Sequence, residues 1–209
     1  MAWNIFGSGT TKCLNAVGIL DIFTTNGSRS IIPATSTWLT GLCSASECTN
    51  ASLAFLVQQV YPNCSADLSG ASIDTVTNLV QEFYPSVRQM LCAEEYVIPL
   101  IPLIPINCIL TLNRRGSTNC INQTLSAMQS TFGSIDSPNK LVSDLTSSLP
   151  SNITCTDCNK AIYNLINQAS PSVASKLNTT VAQCGANFTG KTLSNVSIKI
   201  QRELTYPGS

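Results

Sequence analysis

Histidine is absent from this 209-residue chain. Without an imidazole, Ser-His-Asp and Cys-His catalysis, two-histidine metal motifs and histidine general-base chemistry are excluded together. Charge is scarce as well. Only 11% of residues are charged, the formal net charge is zero, and the one basic cluster is Arg114-Arg115, so neither nucleic acid nor an anionic membrane is an expected partner. No apolar run reaches the roughly 18–20 residues that span a bilayer, and no transmembrane segment is expected. Met1 to Phe6 lacks the basic start and apolar run of a signal peptide, which points to a processed or engineered beginning, and the tail lacks a hydrophobic anchor signal. Aromatics are 6% of the chain, with tryptophan only at Trp3 and Trp38, sparse for the stacking platforms that sugar sites usually need. A carboxylate pair could still hydrolyse a glycoside. The eleven acids are scattered, however, and the doublet Glu94-Glu95 would point to opposite sides of an extended segment. No catalytic residue, metal or cofactor is expected.

What the chain does have is ten cysteines in a frame that occurs twice. The first copy holds Cys13, Cys43, Cys48 and Cys64; the second holds Cys120, Cys155, Cys158 and Cys184; Cys92 and Cys108 lie between. The intervening text agrees too, since Cys48-Thr-Asn-Ala-Ser-Leu-Ala-Phe-Leu-Val-Gln-Gln reads like Cys158-Asn-Lys-Ala-Ile-Tyr-Asn-Leu-Ile-Asn-Gln. A period of roughly a hundred residues is too long for a solenoid and fits a duplicated small domain. An even cysteine count at this density belongs to an oxidising compartment, so all ten are expected in disulfides. Asn-x-Ser/Thr sequons at Asn26, Asn50, Asn63, Asn122, Asn152, Asn178, Asn187 and Asn195 mark an N-glycosylated chain. Both signals place the protein outside the cell, secreted or on the cell surface.

Helical spacing dominates. Cys13, Val17 and Leu20 form one stripe; Leu53, Leu56, Val57 and Val60 form a second, capped at Thr49 or Asn50 and stopped by Pro62. Ser72 caps a third with Ile73, Val76, Leu79, Val80 and Phe83, broken at Pro85 with a short continuation from Val87 to Cys92. In the second copy the stripes are Ile121-Leu125-Met128-Phe132, Leu141-Leu145-Leu149, Cys158-Ile162-Leu165-Ile166 and Val173-Leu177-Val181-Cys184. Ser137-Pro138 and Ser170-Pro171 each pair a cap with an N1 proline, and Gly185 stops the last helix. About seven short amphipathic helices are therefore expected around a core that also takes the cysteines.

Two segments break the helical period. Tyr96 to Ile106 carries Pro99, Pro102 and Pro105, which excludes a helix or a central strand. As a polyproline II rod it aligns the prolines on one edge and leaves Ile98, Leu100, Ile101, Leu103, Ile104 and Ile106 on the others. It reads either as a buried connector between the halves or as an apolar surface for a lipid, a membrane or another subunit. Val196 to Gln201 alternates as a half-buried strand, with Cys108 to Leu112 as a possible partner. The expected fold is all-α, a disulfide-stapled helical protein of two related halves with at most one small two-stranded sheet. Its parts are a first cysteine-rich repeat (10–95), an apolar proline-rich connector (96–117), a second repeat (118–190) and a C-terminal strand and tail (191–209). Cys155-Thr-Asp-Cys158 has the C-x-x-C spacing of redox proteins, but its counterpart Cys43-x4-Cys48 is wider and no thioredoxin-like pattern surrounds it, so a structural role is expected.

Cys43-x4-Cys48-x15-Cys64-x27-Cys92, with Leu42-Cys43-Ser44-Ala45-Ser46-Glu47-Cys48 and Tyr61-Pro62-Asn63-Cys64, resembles the central spacing of elicitins. That resemblance implies a secreted all-α carrier with a hydrophobic cavity for sterol; it spans about fifty residues and lacks one cysteine of the elicitin frame. The whole chain, especially Leu149 to Ala161, looks more like secreted cysteine-rich surface proteins of fungi, a likeness that implies secretion and helices but no activity. The expected function is non-enzymatic binding of a hydrophobic small molecule, a sterol or fatty acyl lipid. The alternative is a structural, adhesive or self-assembling surface protein, and an effector or lectin is a third reading. Two bridge registers stay open. In one, Cys13–Cys64 and Cys120–Cys184 close the halves, Cys43 and Cys155 pair with near neighbours, and Cys92 joins Cys108. In the other, Cys184 answers Cys92, and Cys43–Cys92 and Cys155–Cys184 are the long bridges.

Overall fold

The computed structural model describes residues 9–25, 29–64, 70–96, 117–189 and 197–199. These are mostly helical, with one small sheet among them. Two compact units are distinguished: Met1–Arg88 with Ile135–Lys140, and Gln89–Ser134 with Leu141–Ser209. The proline-rich segment with Ile98, Leu100, Ile101, Leu103, Ile104 and Ile106 lies outside the described residues, as do Cys108, the Cys108–Leu112 strand, Asn26 and Asn195.

In the first unit a 3₁₀ turn, Gly9–Leu14, enters the helix Ala16–Thr24 through Asn15, which sits at φ +48°. Asparagine is among the few residues that tolerate this region, and here its side chain compensates by donating to Trp38 O at 3.0 Å. The Trp38 indole returns a bond to Leu14 O at 3.0 Å. The helix Ile32–Ser44 was not expected, because its row Thr35-Leu39-Leu42 is diluted by Thr and Ser; its legible sign is Pro33 in the first turn. Ile31, Leu39, Leu42 and Leu53 are each at most 2% exposed, and Ile31 N–H donates to Ile135 O at 2.8 Å.

Two of the expected caps form here, Thr49 Oγ1 accepting from Ser52 N before the helix Asn50–Cys64 and Ser72 Oγ from Thr75 N before Ile73–Leu91, whereas the expected Ser170 cap makes no side-chain bond to its helix. The expected stops do not occur. Asn50–Cys64 continues through Pro62, and Ile73–Leu91 continues through Pro85. Both prolines are exposed, so water can satisfy the carbonyl each leaves without a donor, and Pro62 falls within the final turn, where few bonds remain to be lost.

In the second unit the helix Cys120–Phe132 is capped by Asn119, whose Oδ1 accepts from Ile121 N and Asn122 N while its Nδ2 donates to Leu91 O at 2.7 Å. Ser137 caps Pro138–Thr146, a helix that begins in the first unit and ends in the second; within the second, a single turn, Ser151–Thr154, precedes Asp157–Ala169, capped by Thr156. Pro171–Val181 starts with its N1 proline and runs into a 3₁₀ turn ending at Cys184, where Gly185 takes φ +81°. The sheet has three strands rather than two. Glu94–Tyr96 (β1) pairs antiparallel with Ser117–Asn119 (β2) and with Ser197–Lys199 (β3), in the order β2-β1-β3. The C-terminal strand was foreseen, but its described partner is the Glu94-Glu95 segment.

The cysteines of the duplicated frame correspond in order. Cys13 lies in the first 3₁₀ turn and Cys120 opens its helix; Cys43 lies in the last turn of Ile32–Ser44 and Cys155 follows the single turn Ser151–Thr154. Cys48 precedes Asn50–Cys64 and Cys158 is the second residue of Asp157–Ala169; Cys92 follows Ile73–Leu91 and Cys184 ends the 3₁₀ turn after Pro171–Val181. Cys13–Cys48 and Cys120–Cys158 join first to third; Cys155–Cys184 joins second to fourth; Cys43 and Cys92 are both oxidised. Eight of the described cysteines are oxidised. Cys155–Cys184 is the long bridge of the second register, and Cys13–Cys64, Cys120–Cys184, Cys43–Cys48 and Cys155–Cys158 do not form. The expectation that Cys64 is bridged is corrected: it is a half-buried free thiol. Once Cys184 is matched to Cys92, Cys64 has no counterpart in the second copy, so the interleaved frame holds no place for it.

Candidate functional site

The 19-residue helix Ile73–Leu91 carries apolar side chains at Ile73, Val76, Leu79, Val80, Phe83 and Val87, a stripe of the kind that normally faces a core. Here no apolar residue of the helix is buried. Leu79 is 55% exposed and Val87 43%, the rest are half-buried, and the one buried residue is Arg88. The cause is a second row on the same helix, Gln81, Tyr84 and Arg88. Gln81 Nε2 donates to Asn50 O at 2.8 Å, and the Tyr84 hydroxyl accepts from Cys48 N at 3.0 Å. Arg88 Nη2 donates to Ala45 O at 2.5 Å and Nη1 to Cys13 O at 3.4 Å, while Nε lies 3.7 Å from Glu47 Oε1. At 3.6 residues per turn this polar row stands about a third of a turn from the centre of the stripe. Gripping the peptide groups around Cys13, Ala45 and Cys48 through polar ends therefore turns the stripe away from them. Phe55 and Val60, on Asn50–Cys64 in the same unit, are 37% and 42% exposed.

The last helix of the second half behaves differently. Pro171–Val181 buries Ala174 and Val181 against Tyr163 and Phe188, with Leu177 and Cys184 packed alongside. The Cys120–Cys158 bridge is itself core, sealed with Ala93 and flanked by Ile162 and Ile198. Cys158 Sγ lies 3.9 Å from Glu95 Oε2, and Glu95 also receives a bond from Gln123 Nε2. Glu95 is thus tied up structurally rather than paired with a second acid.

The apolar ligand surface expected on the proline-rich segment lies outside the described residues, and Leu79 and Phe83, expected in a core, are exposed and half-buried. The stripe was legible; its orientation was not, because the polar row that sets it bonds mostly to backbone carbonyls and amides far away in sequence. Of the described sequons, Asn50, Asn63, Asn152, Asn178 and Asn187 are exposed and Asn122 is half-buried. Two surface grooves have mixed, mainly polar walls: one of about 850 Å³ lined by Asp21, Thr24, Thr25, Arg29 and Ser30 with Pro33 and Ala34, and one of about 340 Å³ lined by Ser147, Ser148, Thr179, Thr180 and Gln183 with Leu145 and Leu149. Neither has the lining of a lipid cavity. Among the described residues no group of three or more Cys, Asp or Glu could hold a metal ion, and no described helix is long and apolar enough to cross a membrane. No family model, curated protein or solved structure matches the chain.

Proposed function

We propose that this is an extracellular, non-enzymatic binding protein for an elongated apolar molecule, a fatty acyl chain or sterol, held along the stripe of Ile73–Leu91. The observation behind it is the stripe itself, six apolar side chains on one strongly amphipathic helix with none buried. From Ile73 to Val87 it runs roughly 21 Å at 1.5 Å per residue, the length of a long extended acyl tail. The polar edges of the helix carry Asp74 and Glu82, and its only cation, Arg88, is buried, so an uncharged ester or alcohol fits better than a free acid anion.

Fluorescent acyl esters of increasing chain length and a fluorescent sterol test the proposal. At about 0.8 kcal/mol per buried methylene, each added CH₂ tightens binding by up to about fourfold until the tail outruns the stripe. Leu79→Asp and Val87→Asp change exposed residues and should abolish uptake while leaving circular dichroism and the melting temperature near those of the parent. Absence of saturable uptake, or uptake indifferent to both substitutions, refutes the proposal. Light scattering supplies the competing outcome. A dimer that Leu79→Asp returns to monomer, with no lipid uptake, assigns the stripe to a second copy of the chain.

A further inference from the structure

The sequons are not equivalent in the folded chain, and the difference decides which of them can hold a sugar. We infer that Asn50, Asn63, Asn152, Asn178 and Asn187 carry N-linked glycans and that Asn122 carries none. The glycan bonds to Nδ2, so an acceptor needs that face of its amide in solvent, while Oδ1 stays free to accept hydrogen bonds. The five named asparagines are exposed. Asn178 has a specific contact, its Oδ1 accepting from Tyr163 Oη at 2.8 Å, and this contact survives glycosylation because it uses the oxygen. Asn187 anchors the buried Lys160 ammonium through its backbone carbonyl at 2.9 Å, which leaves its side chain to the solvent.

Asn122 lies in a different setting. Its side chain is half-buried, whereas the other five are exposed. It sits two residues after Cys120, which is fully buried and bridged to Cys158. The first turn of Cys120–Phe132 is thus pressed into the second unit. A single extra methylene in packed surroundings costs about 1–3 kcal/mol, and a sugar ring is several times larger. Glycans are attached to the nascent chain, so an occupied Asn122 opposes closure of Cys120–Cys158, and such chains are lost from the folded, secreted pool.

The inference rests on the extracellular reading but not on a lipid ligand, and supplying a generic secretion leader in a eukaryotic host separates it from both. The secreted, fully bridged protein is treated with peptide:N-glycosidase F in ¹⁸O water and mapped by mass spectrometry. The expected result is ¹⁸O-aspartate at positions 50, 63, 152, 178 and 187 and unlabelled asparagine at 122. Any other pattern among these six sites overturns the inference. As an independent readout, Asn122→Gln should leave the glycosylated mass and secretion yield unchanged, whereas replacing any of the other five with Gln should remove one glycan.

Discussion

Arg88 offers the sharpest quantitative test of the structure, because it is 4% exposed and its bonds are few. Replacing it with alanine removes the 2.5 Å charge-assisted bond to Ala45 O, a class of interaction contributing about 1.5–3 kcal/mol. The bond to Cys13 O is long at 3.4 Å and adds little. The Glu47 contact, at 3.7 Å with a side chain 36% exposed, is screened and contributes at most about 0.5 kcal/mol. The void left by the side chain adds to the loss, so Arg88→Ala should cost about 2–4 kcal/mol in total. In guanidinium titration with the bridges intact, the midpoint should fall by roughly 0.5–1 M with the slope unchanged. The melting temperature should fall by roughly 5–15 °C. Glu47→Gln is the control and should stay within about 0.5 kcal/mol of the parent. If Arg88→Ala is equally benign, the arginine does not hold the helix in place and the explanation for the outward stripe fails; if Glu47→Gln costs as much as Arg88→Ala, the ion pair and not the carbonyl grip holds it.

Non-reducing peptide mapping should recover Cys13–Cys48, Cys120–Cys158 and Cys155–Cys184. Cys43 and Cys92 should also be recovered oxidised, and alkylation without reductant should label Cys64; a bridged Cys64 refutes the assignment. Asn119→Ala removes an acceptor shared by two amide N–H groups and a donor to Leu91 O, and should cost about 1–2 kcal/mol by denaturant titration, against near neutrality if the cap were incidental. Gly41→Ala sets two effects against each other. Alanine is favoured over glycine inside a helix by about 0.5–1 kcal/mol, but a Cβ here would lie within 2.6 Å of the Asn15 side chain, which is bonded to Trp38 O. Overpacking at about 1–3 kcal/mol should win, and a raised melting temperature would show that Asn15 can move aside.

Local chemistry explains which parts were readable in advance. Ser72, Ser137, Pro171 and Gly185 announced helix ends because capping and positive φ depend on neighbours within three or four residues. Proline misled at Pro62 and Pro85 because its cost depends on whether water can reach the carbonyl left without a donor, which is a matter of burial. The bridge register was undecided because cysteine spacing alone admits both arrangements; the matching Pro85-Ser86-Val87 and Pro171-Ser172-Val173 text favoured the one observed. The stripe was read correctly as an amphipathic face and assigned wrongly to a core. Arg88 reaches Cys13 and Ala45, 75 and 43 residues away, and no periodicity encodes that.

Where the stability resides bears on whether the stripe is free to serve a ligand. The three bridges with described geometry close separations of 35, 38 and 29 residues. In the chain-entropy description each contributes about 3.5–4 kcal/mol, so together they match the stability of an ordinary domain, about 5–15 kcal/mol. A fold held this way does not need every amphipathic face buried, so the stripe on Ile73–Leu91 can stay open without unfolding the protein. Core and stripe should then respond differently to the same truncation. Leu39, 1% exposed, should lose about 2–5 kcal/mol on replacement by alanine, whereas Leu79, 55% exposed, should lose under about 1 kcal/mol. Ligand affinity should show the reverse order, falling for Leu79→Ala and not for Leu39→Ala in protein that remains folded. Equal stability losses at the two positions would place Leu79 in a packed interior and remove the physical basis for a binding face.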